Sequence, residues 1–290
     1  MTKTERKPPL SRRIGRKYMK WLILLIPLLY VVLTMGVSMI DIIKRSFWDS
    51  DGFTLEYYIK IFTEPLYTKV LFNTLKIGAI VTLTALMLAY PMAYLSVRAK
   101  SNTVKRLITG GVLIPYWISM LVRIFAWQVI LQNNGVLNQL LMMLGIIDQP
   151  IQILYTTTAV VISLVHILIP YMFMSLQSNM EGIDRNLTTA AEGMGARPVK
   201  NFLQIFLPLS KPGIFSGSLM VFVLALGFYI APALLGGSEG TMLSNIIETN
   251  MNNFNWNIAS ALSMELLVCV FVIVGLATKF VGNIFVQQRK

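Results

Sequence analysis

The sequence predicts an all-α membrane protein with six transmembrane helices. Of its 290 residues, 55% are hydrophobic and 13% are charged, which is about half the charge that a soluble domain usually carries. Six apolar runs are long enough to cross the roughly 30 Å of hydrocarbon in a bilayer. The formal net charge of +12 arises largely from basic residues beside the ends of these runs. This distribution is typical of membrane topology and not of nucleic-acid binding.

The first apolar run, residues 21–40, comes after a basic N-terminal segment, residues 1–20, which carries eight Lys and Arg residues and one Glu. A cleaved signal peptide begins with similar charges, but this run is longer than the apolar core of such a peptide. We therefore expect an uncleaved first span. No linker or low-complexity tract divides the rest of the chain, so residues 21–290 are interpreted as a single six-span domain.

Three further runs, residues 70–97, 107–131 and 157–176, predict the second, third and fourth spans. Pro115 lies inside the third run, and because proline lacks a backbone N–H and clashes with the preceding turn, we expect it to break that helix. The polar segment at residues 44–69 is rich in Trp and Tyr, which favour the membrane interface. We expect short interfacial helices there.

The fifth and sixth spans are predicted at residues 214–235 and 258–280. Pro232 lies near the outer end of the fifth run and is expected to disrupt the helix at that point. The sixth run contains the only cysteine, Cys269, which can form no disulfide within the chain and is interpreted as a small packing residue.

The distribution of Lys and Arg orients the chain in the membrane. The loops at residues 132–156 and 236–257 contain none, whereas the loops after the second and fourth spans carry four each. Because cytoplasmic loops are enriched in basic residues, the two loops without them face outward, and six spans then place both termini in the cytoplasm. The outward segment 44–69 departs from this rule, since it carries four basic residues together with four acidic ones.

A polar, glycine-containing stretch at residues 189–208 separates the fourth and fifth spans and predicts a helix, a turn and a second helix at the membrane surface. The prediction depends on the helix formers Ala190, Ala191 and Glu192, the weaker Gly193 and Gly195, and Pro198, which fits a first helical turn. Phe202, Ile205 and Phe206 then recur on one helix face, and Pro208 is expected to interrupt the pattern. Because the stretch has no core of its own, we expect another subunit to cover its apolar residues.

Sequence motifs for catalysis are missing. The chain contains no GxxxxGK[ST] phosphate loop, no HExxH or paired-cysteine metal signature, and no Ser, His and Asp that can be placed on one surface. With a single histidine, the chain is interpreted as a conduit or scaffold that is not an enzyme, binds no cofactor or metal of its own, and takes its energy from outside.

The polar stretch resembles the motif of permease subunits of bacterial ABC importers. That motif reads EAA, three residues, Gly, nine residues, then I-x-L-P, and it lies in the cytoplasmic loop before the penultimate span. The spacing matches throughout, with one departure, because Thr189 stands where the family has glutamate; Glu192, one helical turn further on, is a candidate substitute. The matching and neighbouring residues are Thr189, Ala190, Ala191, Glu192, Gly195, Ala196, Ile205, Leu207 and Pro208.

The resemblance extends over most of the chain, because residues 115–141, 144–155 and 228–237 are also similar to the spermidine/putrescine-type permeases of this family. It implies a type I importer in the bacterial inner membrane. Such an importer has two six-span permeases side by side, a cytoplasmic ATPase dimer that uses ATP and Mg, and a periplasmic solute-binding protein. The second permease is then expected to be a different, homologous chain.

The resemblance further implies that residues of about 181–212 form a coupling loop whose short helix docks in the ATPase. The alternative is a surface loop that only caps two spans. The implied function is import of a small polar solute by alternating access, with polyamines first and other amine-bearing solutes, such as an opine or aminophosphonate, as alternatives. A stand-alone secondary carrier is the rival class; it would need no docking loop, and many such carriers show an inverted repeat.

Ionisable and aromatic residues within the spans are candidates for the translocation pathway, because charges there are costly and usually face a bundle interior or water. Arg123 and Glu265 either pair to hold the fold, or Glu265 attracts a cationic solute while Arg123 orients it or forms a gate. His166 is either a hydrogen-bonded interior residue or a ligand. Trp117, Trp127 and Tyr229 either contact alkylammonium groups through cation–π interactions or pack in the bundle.

Overall fold

The computed structural model describes residues 10–49 and 51–287, and these residues are mostly helical. Part of the basic N-terminal segment and the terminal Arg289 and Lys290 therefore lie outside the described residues. The helices are α1 (Leu10–Phe47), α2 (Glu56–Thr63), α3 (Pro65–Arg98), α4 (Asn102–Leu113), α5 (Met120–Leu131), α6 (Val136–Met143), α7 (Thr157–Glu181), α8 (Arg185–Gly193), α9 (Pro198–Asn201), α10 (Leu207–Leu226), α11 (Ile230–Leu235), α12 (Leu243–Asn252) and α13 (Trp256–Gln287). A short antiparallel hairpin of β1 (Trp48–Asp49) and β2 (Gly52–Phe53) comes after α1.

Five helical segments are long and apolar enough to cross a membrane. These are Leu24–Phe47, Pro65–Arg98, Thr157–Glu181, Pro198–Leu226 and Trp256–Lys279. A sixth span is formed when the bent pair Asn102–Trp117 and Met120–Met143 is counted as one. The predicted all-α fold with six spans is thereby confirmed.

The third span contains the break that Pro115 predicts. A 3-10 turn, Ile114–Trp117, ends α4, and the chain then bends by 99° before α5. The N–H of Ile118 donates to the carbonyl of Pro115 at 3.2 Å. This hydrogen bond joins residues three apart in sequence, whereas an α-helical bond joins residues four apart. The bend leaves Trp117 85% exposed on the surface of the chain.

The core of the bundle lies where α3, α7 and α10 pack together, and small residues allow the close approach. A Cβ added at Gly78 of α3 would lie 2.9 Å from a side-chain carbon of Leu226, and one at Gly213 of α10 would lie 2.7 Å from the Cβ of Asn179. α1 is peripheral by comparison. It packs against α13, while its apolar side chains from residue 24 onward stay largely exposed on the surface of the chain.

A second, smaller core includes the short helix α2 of residues 44–69, the segment in which short interfacial helices are expected. Ile61 of α2 packs there with buried residues of α3, α12 and α13. The Tyr57 hydroxyl donates a hydrogen bond to Asp49 at 2.5 Å and accepts one from Asn257 at 2.9 Å. Burial, reinforced by the hydrogen bond to Asp49, raises the pKa of Tyr57 above its ordinary value.

One expectation about proline is wrong and another is confirmed. Pro208 does not interrupt the helix, because α9, a π-helical turn at Phe202–Phe206 and α10 succeed one another without a break, and Pro208 lies directly after the wide turn that removes the need for its missing N–H. The expected disruption near Pro232 is present. α10 ends at Leu226 and α11 begins at Ile230, so the break includes Phe228, four residues before the proline, whose carbonyl the proline ring would meet in a continuous helix.

Candidate functional site

The loop between the fourth and fifth spans, which is predicted to be the coupling loop, begins with α8, and this helix has a local start signal. The carboxylate of Asp184 accepts the N–H of Asn186 at 2.9 Å, and the carbonyl of Asp184 accepts the N–H of Leu187 at 3.3 Å. An acidic side chain in this position satisfies a helix N–H that would otherwise have no partner. The start of α8 is therefore fixed by the residue before it.

The end of α8 is set by Gly195, which adopts a φ of +86°. The N–H of Ala196 bonds the carbonyl of Ala191 at 3.0 Å across this residue, a pattern that commonly ends helices at a left-handed glycine. A Cβ at Gly195 would meet nothing within 4 Å. The backbone conformation, and not the surrounding space, therefore favours glycine at this position.

The second half of the coupling loop is continuous with the fifth span. Pro198 occupies the first turn of α9 after Arg197, and the helix continues through the π-helical turn into α10. One helical segment, Pro198–Leu226, therefore connects α9 directly to the membrane bundle.

The expectation that another subunit covers the apolar face of this segment is wrong for its two aromatic residues. The rings of Phe202 and Phe206 lie 5.3 and 4.9 Å from the ring of Tyr94 of α3. The guanidinium of Arg98 lies 5.4 Å above the Phe206 ring. The continuous helix brings these rings against the C-terminal end of α3, so the chain covers them itself.

Other apolar residues of the coupling loop remain on the surface. Met194 is 83% exposed and Val199 is 69% exposed, while Leu187 and Leu203 are also exposed. Among the predicted coupling residues, Ala191 is buried, Thr189, Ala190 and Gly195 are exposed, and Ala196, Ile205, Leu207 and Pro208 are partly buried. Glu192 belongs to α8, and its side chain lies outside the described part of the structure.

Arg123 and Glu265 do not pair. Both side chains are 8% exposed, and neither Nε and Nη1 of Arg123 nor the two Oε atoms of Glu265 have a hydrogen-bond partner. Arg123 lies on α5, which packs against α7 and α11, whereas Glu265 lies on α13, which packs mainly against α1 and α12. The pairing interpretation is wrong because the two helices occupy different sides of the bundle.

Three of the predicted pathway residues come together along α7. The Nε1–H of Trp127 donates to Nδ1 of His166 at 3.1 Å, which fits the interpretation of His166 as an interior hydrogen-bonded residue. Arg123 is close enough to His166 and Tyr171 to interact electrostatically with both. Tyr171 in turn contacts Tyr116, with ring centroids 5.4 Å apart.

The remaining predicted pathway residues are dispersed. Trp117 reaches this cluster only through Tyr116, at 6.1 Å between ring centroids. Tyr229 is 45% exposed at the break between α10 and α11, where its carbonyl accepts a hydrogen bond from Asn245 at 2.8 Å. In the described parts of the chain, no hydrogen bond or ring contact joins Tyr229 or Glu265 to the other candidates.

A polar cluster that the sequence analysis missed lies where the C-terminal ends of α3 and α7 meet α4. The Nζ of Lys105 lies 2.8 Å from Oε1 of Glu181, and Gln177 donates to Ser96 at 3.2 Å. Ser96 and Thr109 share a further hydrogen bond at 3.1 Å. These residues are distant in sequence and form no local motif, so only the tertiary packing brings them together.

No cluster of three or more His, Cys, Asp or Glu residues that could hold a metal ion occurs in residues 10–49 and 51–287. The polar groups that do converge are single charges, hydroxyls and one imidazole. Such groups can form hydrogen bonds that orient side chains and hold helices together.

The fold matches a chain of the crystal structure described as a bacterial alginate ABC transporter in complex with an alginate pentasaccharide-bound periplasmic protein. The match has a TM-score of 0.79 and 18% identity, and covers 95% of this chain and 98% of that one. This likeness and the six spans show that the chain has the fold of the permeases of type I ABC transporters.

The chain belongs to the family of binding-protein-dependent transport system inner membrane components, which matches it over residues 82–288. It is 35% identical, over 247 residues, to the spermidine/putrescine transport system permease protein PotB of Escherichia coli, covering 82% of this chain and 89% of that protein. It is 34% identical, over 255 residues, to the protein of the same name from Haemophilus influenzae, covering 88% of each. The protein is therefore a multi-pass permease of the inner membrane and a subunit of an ABC importer.

Proposed function

We propose that this permease carries polyamines, such as spermidine and putrescine, from the periplasm to the cytoplasm. The observation that carries the proposal is the 34–35% identity, over most of the chain, to permeases named for these solutes. A polyamine needs a negative or aromatic surface along its path, and the chain offers the carboxylate of Glu265 inside the sixth span.

Energy for transport comes, in this proposal, from an ATPase dimer that binds the coupling loop and uses ATP and Mg. The exposed Met194 and Val199 are available for a groove of that partner, in the manner of a helix that docks its apolar face. Because α9 continues into α10, closure of the ATPase dimer would move the fifth span. This movement would switch the solute pathway from open to the periplasm to open to the cytoplasm. Thr189 occupies the position of the family glutamate, so Glu192 is proposed to replace it.

The pathway residues fall into two groups. We propose that Glu265 receives an ammonium group of the solute once the spans rearrange, and that Trp117 and Tyr229 offer ring faces to the alkylammonium chain. The contact between Trp127 and His166 holds α5 against α7 two turns after the bend. Arg123 lies beside that contact and is proposed to act as a gate or to position the bend.

The proposed assembly contains a second, homologous but different, six-span permease and a periplasmic solute-binding protein. Both termini of the chain lie in the cytoplasm, as the distribution of Lys and Arg in the loops indicates. The loops at residues 132–156 and 236–257 then face the binding protein.

Mass spectrometry of the intact complex, purified through a tag on this chain, tests the proposal. We expect one copy of this chain, one copy of a second permease of different mass and two copies of an ATPase, with a polyamine bound to the associated solute-binding protein. An opine or an aminophosphonate as the bound solute would contradict the polyamine assignment and leave the importer assignment intact. Solute transport by the chain alone, without an ATPase, would favour a secondary carrier instead.

A further inference from the structure

A cavity of about 530 Å³ opens between the outer end of α3 and the loop after the fifth span, and the lysines on its α3 side have no role in the function described above. Lys69 and Lys76 lie on its α3 side, one on each side of Asn73, and Glu239 and Thr241 lie on the opposite side. Both lysines are exposed, and within the described part of the chain neither ammonium is within 4.0 Å of a carboxylate. Two lysines against one carboxylate give the cavity a net positive charge.

The walls of this cavity are held in place by hydrogen bonds across the chain. The side-chain amide of Asn73 donates to the carbonyls of Glu239 and Thr241, at 2.9 Å each. The hydroxyl of Thr157 donates to the carbonyl of Glu239 at 3.1 Å. These bonds fix the loop after the fifth span against α3 and α7, so the cavity is part of the folded bundle and not a gap between mobile side chains.

An exposed apolar stripe leads from the cavity along α3 toward the middle of the span. Phe72 is 77% exposed, and Ile80, Leu83 and Met87 lie further along the same helix face, with Lys76 in the same row. The spacing of three and four residues places all of them on one side of the helix. A ligand that satisfies both features must have an anionic head at the outer surface and an apolar body that extends into the membrane.

We propose that this surface binds an anionic phospholipid of the outer leaflet, with its phosphate between Lys69 and Lys76 and an acyl chain along Phe72, Leu83 and Met87. An unpaired lysine at span depth is costly unless a counter-charge approaches it, and a lipid phosphate lies at the required depth. The positive charge of the cavity would repel a cationic solute. The lipid site therefore lies outside the proposed polyamine path and does not depend on it.

Lipid binding to the intact transporter, purified through this chain, tests the proposal. Binding of phosphatidylglycerol and of phosphatidylcholine is measured by native mass spectrometry. We expect selective binding of phosphatidylglycerol, with a loss of affinity of about fivefold in Lys69→Gln or Lys76→Gln and about 25-fold in the double variant, since each basic residue near a membrane surface contributes a similar amount. Arginine at both positions should retain the affinity, which separates charge from folding effects.

Lys60→Gln is the matched control, because Lys60 is on the same side of the membrane but lies 3.8 Å from Glu64 and outside the cavity. An equal loss in Lys60→Gln and in the double variant would overturn the proposal, because the attraction would then be unspecific. Displacement of the lipid by an equimolar amount of inorganic phosphate would also overturn it, in favour of a site for the free anion.

A photoreactive phenylalanine analogue at position 72 identifies the molecule that covers the stripe. We expect it to capture phospholipid in the assembled complex. Capture of the second permease would overturn the lipid assignment and identify this face of α3 as a subunit interface.

Discussion

At Gly195 the backbone takes a left-handed conformation that sets the angle between α8 and α9. The space around the residue is open, so the size of a replacement matters less than its tolerance of positive φ. Asparagine adopts this conformation more readily than a β-branched residue does. Substitution by asparagine and by valine therefore separates the geometry of the coupling loop from the simple loss of a glycine.

Gly195→Val is expected to strain the turn by roughly 1–2 kcal/mol and to weaken the association of the ATPase. Gly195→Asn should retain most of the association with the ATPase. Co-purification of the ATPase with each variant, together with ATP-dependent uptake, provides the measurement. Association and uptake at wild-type levels in Gly195→Val would contradict the docking role of this loop.

Glu265 carries both carboxylate oxygens into the protein interior without a hydrogen-bond partner. If it receives an ammonium group of the solute, Glu265→Gln should reduce polyamine uptake by about tenfold, the equivalent of one charge-assisted hydrogen bond. Assembly should be unchanged, because no internal ion pair is lost. Glu64→Gln, which removes an acid that lies 3.8 Å from Lys60 and outside the two loops that face the binding protein, is the control and should leave uptake unchanged. Unaltered uptake in Glu265→Gln would remove the residue from the pathway.

At the scale of helices, α7 and α10 pack through small residues and flank the coupling loop on both sides in sequence. Gly213 lies against Asn179, and Gly217 lies against Met172 and Ser175. This contact ties the two spans that the coupling loop connects, so a movement of the loop is expected to displace them together.

Gly213→Ala should destabilise the protein by about 1–3 kcal/mol, the usual cost of overpacking, because the new methyl group would lie 2.7 Å from the Cβ of Asn179. Gly275→Ala is the matched control in α13, where an added Cβ meets nothing within 4 Å. It should be neutral, or stabilising by up to about 1 kcal/mol through helix propensity. Thermal unfolding in detergent measures both, and equal stabilities would contradict the close packing of α7 and α10.

The elements differ in how far the sequence alone predicts them. Apolar runs and the break at Pro115 are local signals, so the six spans and the bend were predictable. The helix, turn and second helix of residues 189–208 were predictable from the helix formers, the glycines and Pro198, whereas the coupling role of this loop stays a prediction. The π-helical turn that accommodates Pro208 and the helix α12 within an outer loop leave no comparable pattern.

Contacts between distant residues were the least predictable part of the site. The burial of Phe206 against Tyr94 depends on where the fifth span meets the second. The separation of Arg123 from Glu265 depends on the order in which the helices pack, which hydropathy does not encode. The hydrogen bond between Trp127 and His166 joins two spans that were each predicted correctly. The register of one helix against the other was not predictable from the sequence.

At the scale of the whole molecule, the orientation of the chain in the membrane depends on where its Lys and Arg residues lie. The burial of its apolar side chains depends on how the helices pack. α1 leaves its apolar surface exposed beyond the bundle, and in the membrane that surface must be covered by lipid or by another subunit. The loop after the fifth span carries no Lys or Arg, whereas the loop after the second carries four.

Single cysteines introduced in these two loops test the orientation in a Cys269→Ser background. A membrane-impermeant maleimide should label Ser238→Cys on intact spheroplasts, because position 238 lies in a loop that is predicted to face outward. Ser101→Cys should react only after the membrane is permeabilised. Labelling in the opposite order would invert the topology and place the coupling loop on the wrong side for an ATPase.

The central claim, that this chain is the permease of an ATP-driven polyamine importer, is tested most directly by uptake of radiolabelled spermidine into proteoliposomes. The vesicles contain the complex purified through this chain, with ATP and Mg inside and the solute-binding protein outside. The account predicts uptake that requires both ATP and the binding protein. Uptake that proceeds without ATP would contradict it, as would a complex that hydrolyses ATP but does not accumulate spermidine.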